Sequence, residues 1–469
     1  MNSSTQLLKN HTFEPRNRKT LNSELQANKP HLRSMKKATK DTFIIGLALF
    51  AMFFGAGNLI FPPMLGYRTG ENWLSGTVGF MMSDVGLSLI AIIAVAVIGG
   101  GFTALGNKVG PRYSKILGTT IMLALGPLLA IPRASAVSYE MGIESLFPTS
   151  TMWLVTTIFF IATIFFVIDQ KGVIDKIGKL LTPILLLTLL AIIVAGIIHP
   201  IGVASTSKVA NAFGLGFTEG YQTVDALAAV IFARIILNTL VSKGYTTTTS
   251  QVMITIKAGA IALGIIAIIY GGLIFIGSNS SALFPDDITR TSLFVCIVNR
   301  ILGSSGTLIM AIAVVFACFT TAVGLTATAG AYFQHISKGK LNYKITVVVI
   351  SFVSLLIANL GVKTIISFSE PILLLVYPPV IMLIICGLFD KFGLSKHFYR
   401  GAVHTALILS IPEMLTRYHI PVNSVVDLLN SLPLASYKVG WLIPSLLVAL
   451  ILHIAFHKKE IITVINETR

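Results

Sequence analysis

Phe53-Phe54-Gly55-Ala56-Gly57-Asn58-Leu59-Ile60-Phe61-Pro62-Pro63 lies inside an apolar run over residues 42–63. Such a run is long enough to cross a bilayer, whose hydrocarbon core takes about 20 apolar residues as helix. Its middle does not read as regular helix. Gly55 and Gly57 bracket a small residue and permit backbone angles closed to other side chains. Asn58 is a residue type that caps freed amides, and Pro62 and Pro63 bring no N–H to a helical ladder. A helix in lipid satisfies its own backbone, so an interruption at membrane depth must line protein or a water-filled cavity. The stretch reads as an unwound midpoint with exposed carbonyls and amides. The plainer alternative is a glycine face for close packing, ended by two prolines.

A second interruption stands five apolar runs later, in residues 212–238: Phe213-Gly214-Leu215-Gly216-Phe217-Thr218-Glu219-Gly220-Tyr221-Gln222-Thr223-Val224-Asp225. Gly220 sits between polar Glu219 and Tyr221, ahead of apolar residues 226–232. Discontinuities at matching places in two halves point to a secondary transporter built as an inverted repeat, with its site at the midplane. Half-helix amino termini suit the carboxylate of a zwitterionic solute, and the opposite ends offer carbonyls to a sodium ion or an ammonium group. Close packing is again the plainer alternative for this run.

Composition agrees with a membrane protein. Of 469 residues 54% are hydrophobic and only 12% charged, with a mean hydropathy of +0.83; a water-facing surface is not made from so few charges. Twelve apolar runs are expected as spans, at 42–63, 75–99, 117–137, 151–168, 179–198, 212–238, 253–277, 305–332, 343–360, 365–388, 402–417 and 440–456. Pro412 and Glu413 interrupt the eleventh. With the amino terminus inside, twenty Lys and Arg fall on the inner side and eight on the outer, Arg68, Arg133, Arg290 and Arg417 among the latter. That asymmetry predicts both termini in the cytoplasm. The net charge of +16 is explained by this topology and by anionic membrane lipid, so no nucleic acid partner is expected. Residues 1–40 are too charged for a secretory signal and read as a polar cytoplasmic tail. Cys296, Cys318 and Cys386 carry neither a metal-binding nor a disulfide pattern. No nucleotide loop, metal triad or nucleophile–base signature stands out, so neither an enzyme nor an organic cofactor is expected.

Ionisable residues within spans carry a functional prior. Glu219 and Asp225 fall in the interrupted sixth run, where holding the broken helix and taking part in transport are both open. Asp84 in the second run and Glu370 before Pro371 in the tenth are expected to be structural or interfacial. Arg234 and Lys257 are candidate partners for these acids. In the eighth run, Ala317-Cys318-Phe319-Thr320-Thr321 places one carbonyl and two hydroxyls within a helical turn. These oxygens fit part of a sodium shell, or the hydroxyls simply bond to carbonyls one turn back.

The residues resemble a known family, the branched-chain amino acid:cation symporters of bacteria, within the amino acid-polyamine-organocation superfamily. The match rests on Met52 to Pro63, supported by Gly216 to Asp225 and by Ser369-Glu370-Pro371 with Tyr377-Pro378, and extends from about residue 38 onward. The resemblance implies an all-α polytopic membrane protein of twelve transmembrane helices. It implies a LeuT-like five-plus-five inverted repeat with discontinuous helices 1 and 6. Residues 1–40 would form the tail, 41–200 the first repeat, 201–389 the second, 390–457 two peripheral helices, and 458–469 a cytoplasmic tail. It implies sodium-coupled uptake of leucine, isoleucine and valine by alternating access across the bacterial cytoplasmic membrane. Sodium, as coupling ion, would be held by the carbonyls of Ala51 and Phe54 with Ala317, Thr320 and Thr321. The substrate would meet Phe54, Gly55, Ala56, Gly57 and Asn58, with Phe217, Glu219, Gly220 and Tyr221 opposite. The arginine that neurotransmitter-type relatives carry after the asparagine is absent here, where Leu59-Ile60-Phe61 follows. Proton coupling through Glu219 or Asp225, and an amino acid-binding channel or receptor, are the alternatives.

Overall fold

The computed structural model describes residues 37–50, 53–168, 173–418 and 420–467, and every regular element among them is helical. The first run is divided into α1, residues 37–50, and α2, Ala56–Thr69, with extended Gly55 (φ −126°, ψ −165°) at the start of α2. Pro62 and Pro63 do not end the helix: they lie inside α2, which runs on to Thr69. They remove the N–H groups that the carbonyls of Asn58 and Leu59 would otherwise receive.

The second run is α3, Trp73–Met81, and α4, Leu87–Ile98, joined by a π-turn over Met82–Gly86 that carries Asp84. After the short α5, Phe102–Asn107, comes α6, Pro111–Leu123. A π-turn at Ala124–Leu128 leads into α7, Ala130–Val137, and a second at Ser138–Ile143 leads into α8, Glu144–Leu146. Insertions of this kind concentrate at functional sites because they re-aim side chains and free backbone groups. Here they flank Asp84 and Arg133. The helices α9, Met152–Ile168, and α10, Val173–Ile198, complete the first half.

The sixth run is also divided, into α11, Ala212–Tyr221, and α12, Asp225–Ser242. The break falls at residues 222–224, where buried Val224 takes a left-handed conformation (φ 64°, ψ 14°). A β-branched residue held there costs on the order of 1–3 kcal/mol, which its surroundings must offset. Beyond it lie α13, Thr248–Asn279; α14, Arg290–Ile336, kinked at Gly303; α15, Tyr343–Ala358; and α16, Gly361–Leu388. The chain continues through α17, Lys396–Thr416, α18, Asn423–Asn430, and α19, Leu442–Glu467.

Counting abutting helices together, six helical stretches among the described residues are long and apolar enough to cross a membrane. Four more are apolar but shorter: Met152–Ile168, Pro183–Ile198, Tyr343–Ala358 and Leu442–Phe456. On α9 the exposed residues are Trp153, Leu154, Ile158, Ile161 and Phe165, apolar side chains turned outward, as lipid requires.

Two close interfaces position the breaks. A Cβ on Gly66 of α2 would stand 1.9 Å from the Ile274 carbonyl of α13, and one on Gly277 of α13 would stand 2.1 Å from the Pro63 carbonyl. Likewise a Cβ on Gly79 of α3 would stand 2.2 Å from the Phe213 carbonyl of α11, and one on Gly216 would stand 2.0 Å from the Gly76 carbonyl. Run one is thus held on run seven through α2, and run six on run two through α11. Backbones approach this closely only where no side chain intervenes.

At the other end of the broken pair, the Lys243 ammonium after α12 bonds to Asp41 of α1 at 2.7 Å, with the Tyr245 hydroxyl at 3.1 Å. These hydrogen bonds, from Lys243 first, hold the Asp41 carboxyl below the usual carboxylate range. A depressed folded value adds stability above the unfolded value of about 3.9, and that stability is lost as pH falls through the folded value. Asp41→Asn should therefore flatten the fall of thermal stability below about pH 4 and cost under about 1 kcal/mol at pH 7. Melting of detergent-solubilised protein from pH 3 to 7 checks this, and parallel curves for the two proteins would contradict it.

Candidate functional site

Asn58 joins the two breaks. Its side-chain oxygen accepts from the Gly55 amide at 3.0 Å, closing the start of α2, which fixes the orientation of its amide group. Its nitrogen then donates to Asp225 Oδ2 at 2.6 Å, the first residue of α12, and to the hydroxyl of Tyr270 on α13. Asp225 and Asp84 are linked through Thr223 in the gap of the sixth run. The Thr223 hydroxyl lies 2.9 Å from Asp84 Oδ1 and 2.7 Å from the Gly220 carbonyl, and accepts from the Asp225 amide at 3.4 Å. Asp84, only 1% exposed, keeps Oδ2 without a hydrogen-bond partner.

Arg133 of α7 completes this inner cluster. Its guanidinium donates to the carbonyls of Gln222 and, at 3.1 Å, Thr223, the backbone groups that the break leaves without helical partners. It also fills the space beside Gly57, where a Cβ would stand 2.9 Å from Arg133 Nη2 and 3.3 Å from the Thr223 Cα. Phe61 separates this cluster from a second one, with the guanidinium of Arg133 5.3 Å from its ring centre and that of Arg290 4.9 Å.

The second cluster borders a cavity of about 260 Å³. Glu219 Oε1 accepts from Arg290 Nη2 at 2.8 Å and lies 3.7 Å from Arg68 Nη1. Glu370 pairs with Arg417 at 2.7 Å across the cavity. Tyr221 stacks on Tyr377 with ring centres 4.2 Å apart, and Gln222 accepts from Ser369 at 3.0 Å, so Gln222 belongs to both clusters.

The residues expected to bind substrate therefore divide. Phe54, Gly55, Ala56, Gly57 and Asn58 lie buried at the first break, where Gly57 faces Arg133 and Thr223. Glu219 and Tyr221 border the cavity instead. Gly220 stays within α11 and lets it approach Ser83, Phe80 and Asp84, and Phe217 stacks on Phe213 and meets Tyr221 edge to face. Of the expected sodium ligands, Ala51 lies outside the described residues. The hydroxyls of Thr320 and Thr321 each donate to the Ala317 carbonyl at 2.9 Å, and Thr321 faces Gly55, whose Cβ would stand 3.5 Å from Oγ1. Lys257 is exposed on α13, and the Arg234 side chain lies outside the described residues.

Arg133 was counted among outer-side charges, yet it is only 3% exposed and sits at the centre. The signal was present: a lone arginine inside the apolar run 117–137 needs interior partners. Asp84, expected to be structural or interfacial, lies in the same cluster. Nothing local in the sequence points to Tyr270.

A family model described as branched-chain amino acid transport protein matches residues 38–460. The branched-chain amino acid permease BraB of Bacillus subtilis is 36% identical over 422 residues, covering 88% of this chain and 94% of the permease. The branched-chain amino acid transport system 2 carrier protein of Pseudomonas aeruginosa is 34% identical over 410 residues, 86% and 93% of the two chains. Among solved structures, the nucleobase-cation-symport-1 family transporter Mhp1 in a closed conformation superposes with a TM-score of 0.61 at 14% identity, over 87% of this chain and 91% of that one. MhsT in complex with L-phenylalanine gives 0.52 at 17%, over 87% and 97%. At such identities the likeness shows the fold alone, a LeuT-like inverted repeat with discontinuous helices. Together with the matches to the permeases, this makes the chain a multi-pass transport protein of the bacterial membrane rather than an enzyme. It belongs to the branched-chain amino acid transport protein family.

Proposed function

We propose that this protein takes up leucine, isoleucine or valine together with sodium by alternating access. The observation that carries the reading is the direct junction of the two breaks, Asn58 to Asp225 and Arg133 to the carbonyls of Gln222 and Thr223. A solute seated between these elements touches both halves of the repeat at once, so its binding energy differs between arrangements of the two halves, as coupling requires. In this proposal twelve helices span the membrane with both termini in the cytoplasm. Residues 41–200 and 201–389 form the two repeats, flanked by tails at 1–40 and 458–469 and by peripheral helices within 390–457.

The substrate's charged groups meet the start of α2 at Gly55, Ala56, Gly57 and Asn58, with the α11–α12 junction opposite. Its aliphatic side chain is held by burial worth about 0.8 kcal/mol per methylene. Sodium is a co-substrate at the carbonyls of Ala51, Phe54 and Ala317 and the hydroxyls of Thr320 and Thr321. Both hydroxyls donate their protons to Ala317, which leaves their lone pairs for a cation, and Thr321 lies against the first break. By linkage, each ligand tightens the other.

Purified protein in proteoliposomes should accumulate radiolabelled leucine under an inward sodium gradient and not under matched potassium. Thr320→Ala and Thr321→Ala should each raise the half-saturating sodium concentration about tenfold, the equivalent of about 1.4 kcal/mol. Uptake indifferent to sodium but driven by an inward proton gradient would replace the sodium reading with a proton one. Downhill flux without accumulation would replace the carrier with a channel.

A further inference from the structure

The cavity beside Glu219 and Arg290 is not part of the junction between the two breaks. Phe61 stands between the two places, and Gln222, whose carbonyl is held by Arg133, borders the cavity. Its volume of about 260 Å³ lies just below the roughly 300–1,000 Å³ of sites for drug-sized ligands, which suits one small solute.

The lining carries both signs of charge in separated positions. Glu219 and Arg290 are deep, with side chains 6% and 15% exposed, whereas Arg417 and Glu370 are 51% and 36% exposed at the mouth. Between them runs an apolar wall of Leu215, Ile366, Leu373 and Leu374. Three lining residues retain a buried polar atom without a hydrogen-bond partner: Glu219 Oε2, Arg290 Nη1 and the Tyr221 hydroxyl. An unpaired acceptor and an unpaired donor side by side, each on a charged group, are costly in a closed interior. A solute with its own ammonium and carboxylate on one carbon satisfies both, and a branched hydrocarbon chain on that carbon covers the wall. A purely anionic or cationic solute would leave one of the two charged groups unanswered.

We propose that this cavity is an entrance site, distinct from the junction of the breaks, that binds the zwitterionic amino acid before it moves inward. The carboxylate is taken by Arg290, the ammonium by Glu219, and the aliphatic side chain by Leu373 and Leu374. Binding there draws Glu219 and Arg290 from each other onto the solute, and Gln222 then connects the occupied cavity to Arg133. The proposal rests on the amino acid carrier reading.

Equilibrium binding of radiolabelled leucine to the full-length protein in detergent, with sodium present, tests it alongside uptake in proteoliposomes. Wild type is expected to bind two leucines per chain and Leu374→Trp, which fills the wall, one. Glu219→Gln keeps the shape and removes the charge, and should weaken one of two binding events at least tenfold while the other persists. Isoamylamine and 4-methylpentanoate, each with one of leucine's two charges, should displace leucine from the Leu374-dependent site at least tenfold less well than valine does. One leucine per chain in wild type, unchanged in Leu374→Trp and Glu219→Gln, with sodium-driven uptake intact, would overturn the entrance site and leave the carrier standing. Absence of both binding and uptake in folded wild type would overturn the carrier reading and the entrance site with it.

Discussion

Arg133→Ala is expected to lower the initial rate of sodium-driven leucine uptake at least a hundredfold at equal protein in the membrane. The guanidinium supplies donors to the carbonyls of Gln222 and Thr223, which the gap between α11 and α12 deprives of helical partners. Each buried carbonyl left unsatisfied costs about 1–3 kcal/mol, and a hundredfold in rate corresponds to only about 2.7 kcal/mol. The same substitution empties the space beside Gly57 and removes the charge stacked on Phe61. Arg133→Lys should fall between the two, because one ammonium lacks the planar fork that reaches two carbonyls together. Uptake above a third of wild type in Arg133→Ala would mean that the break satisfies its own backbone and that the arginine is incidental.

The second large effect is on stability, and α13 contains its own control. A Cβ on Gly277 would stand 2.1 Å from the Pro63 carbonyl, and the obstacle is backbone rather than the end of a flexible side chain. Gly277→Ala should thus force α2 and α13 apart, costing about 1–3 kcal/mol or more and displacing the helix that carries Asn58. Gly264 and Gly271 on the same helix have nothing within 4 Å of an added Cβ. Gly264→Ala and Gly271→Ala should be neutral or stabilising by up to about 1 kcal/mol, the ordinary helix preference for alanine. Thermal unfolding in detergent followed by size-exclusion chromatography separates the cases. Equal losses at all three positions would show that the α2–α13 approach is not specific.

Losses of uptake in these two sets have different origins. Arg133 acts at the junction of the breaks, so its variants should lose far more rate than the lowered melting from the unsatisfied carbonyls explains. Gly277 acts on the interface that holds one break in place, so rate and melting should decline together.

What the sequence by itself determined was which stretches form apolar helix and that two of them are interrupted. Both follow from composition within twenty or so residues: apolar length sets the helices, and Gly55-Ala56-Gly57-Asn58 marks a helix boundary, which falls at Gly55. The run 213–225 announced a break as well, but not its place. Gly220, the residue most suggestive of unwinding, is helical and serves a close approach to Ser83, whereas β-branched Val224 takes the left-handed conformation. Local preference was overridden there because the ends of α11 and α12 are tied down from outside, by Arg133 on the carbonyls and by Asn58 on Asp225. Pro62 and Pro63 mislead in the opposite direction, since packing of α2 on α13 carries the helix through them.

Only the tertiary structure decided which polar groups meet. Asn58 lies 167 residues from Asp225 and 212 from Tyr270, and no pattern within one run links them. A charged side chain inside a membrane protein is tolerated wherever distant elements bring it partners. Arg133 therefore stands at the centre although charge counting put it on the outer side, and Asp84, expected to be structural or interfacial, lies in the same cluster. The same dependence on distant partners separates Glu219 and Tyr221 from Gly55 to Asn58: α11 borders the cavity at its polar turn, and only the residues after its end reach the first break.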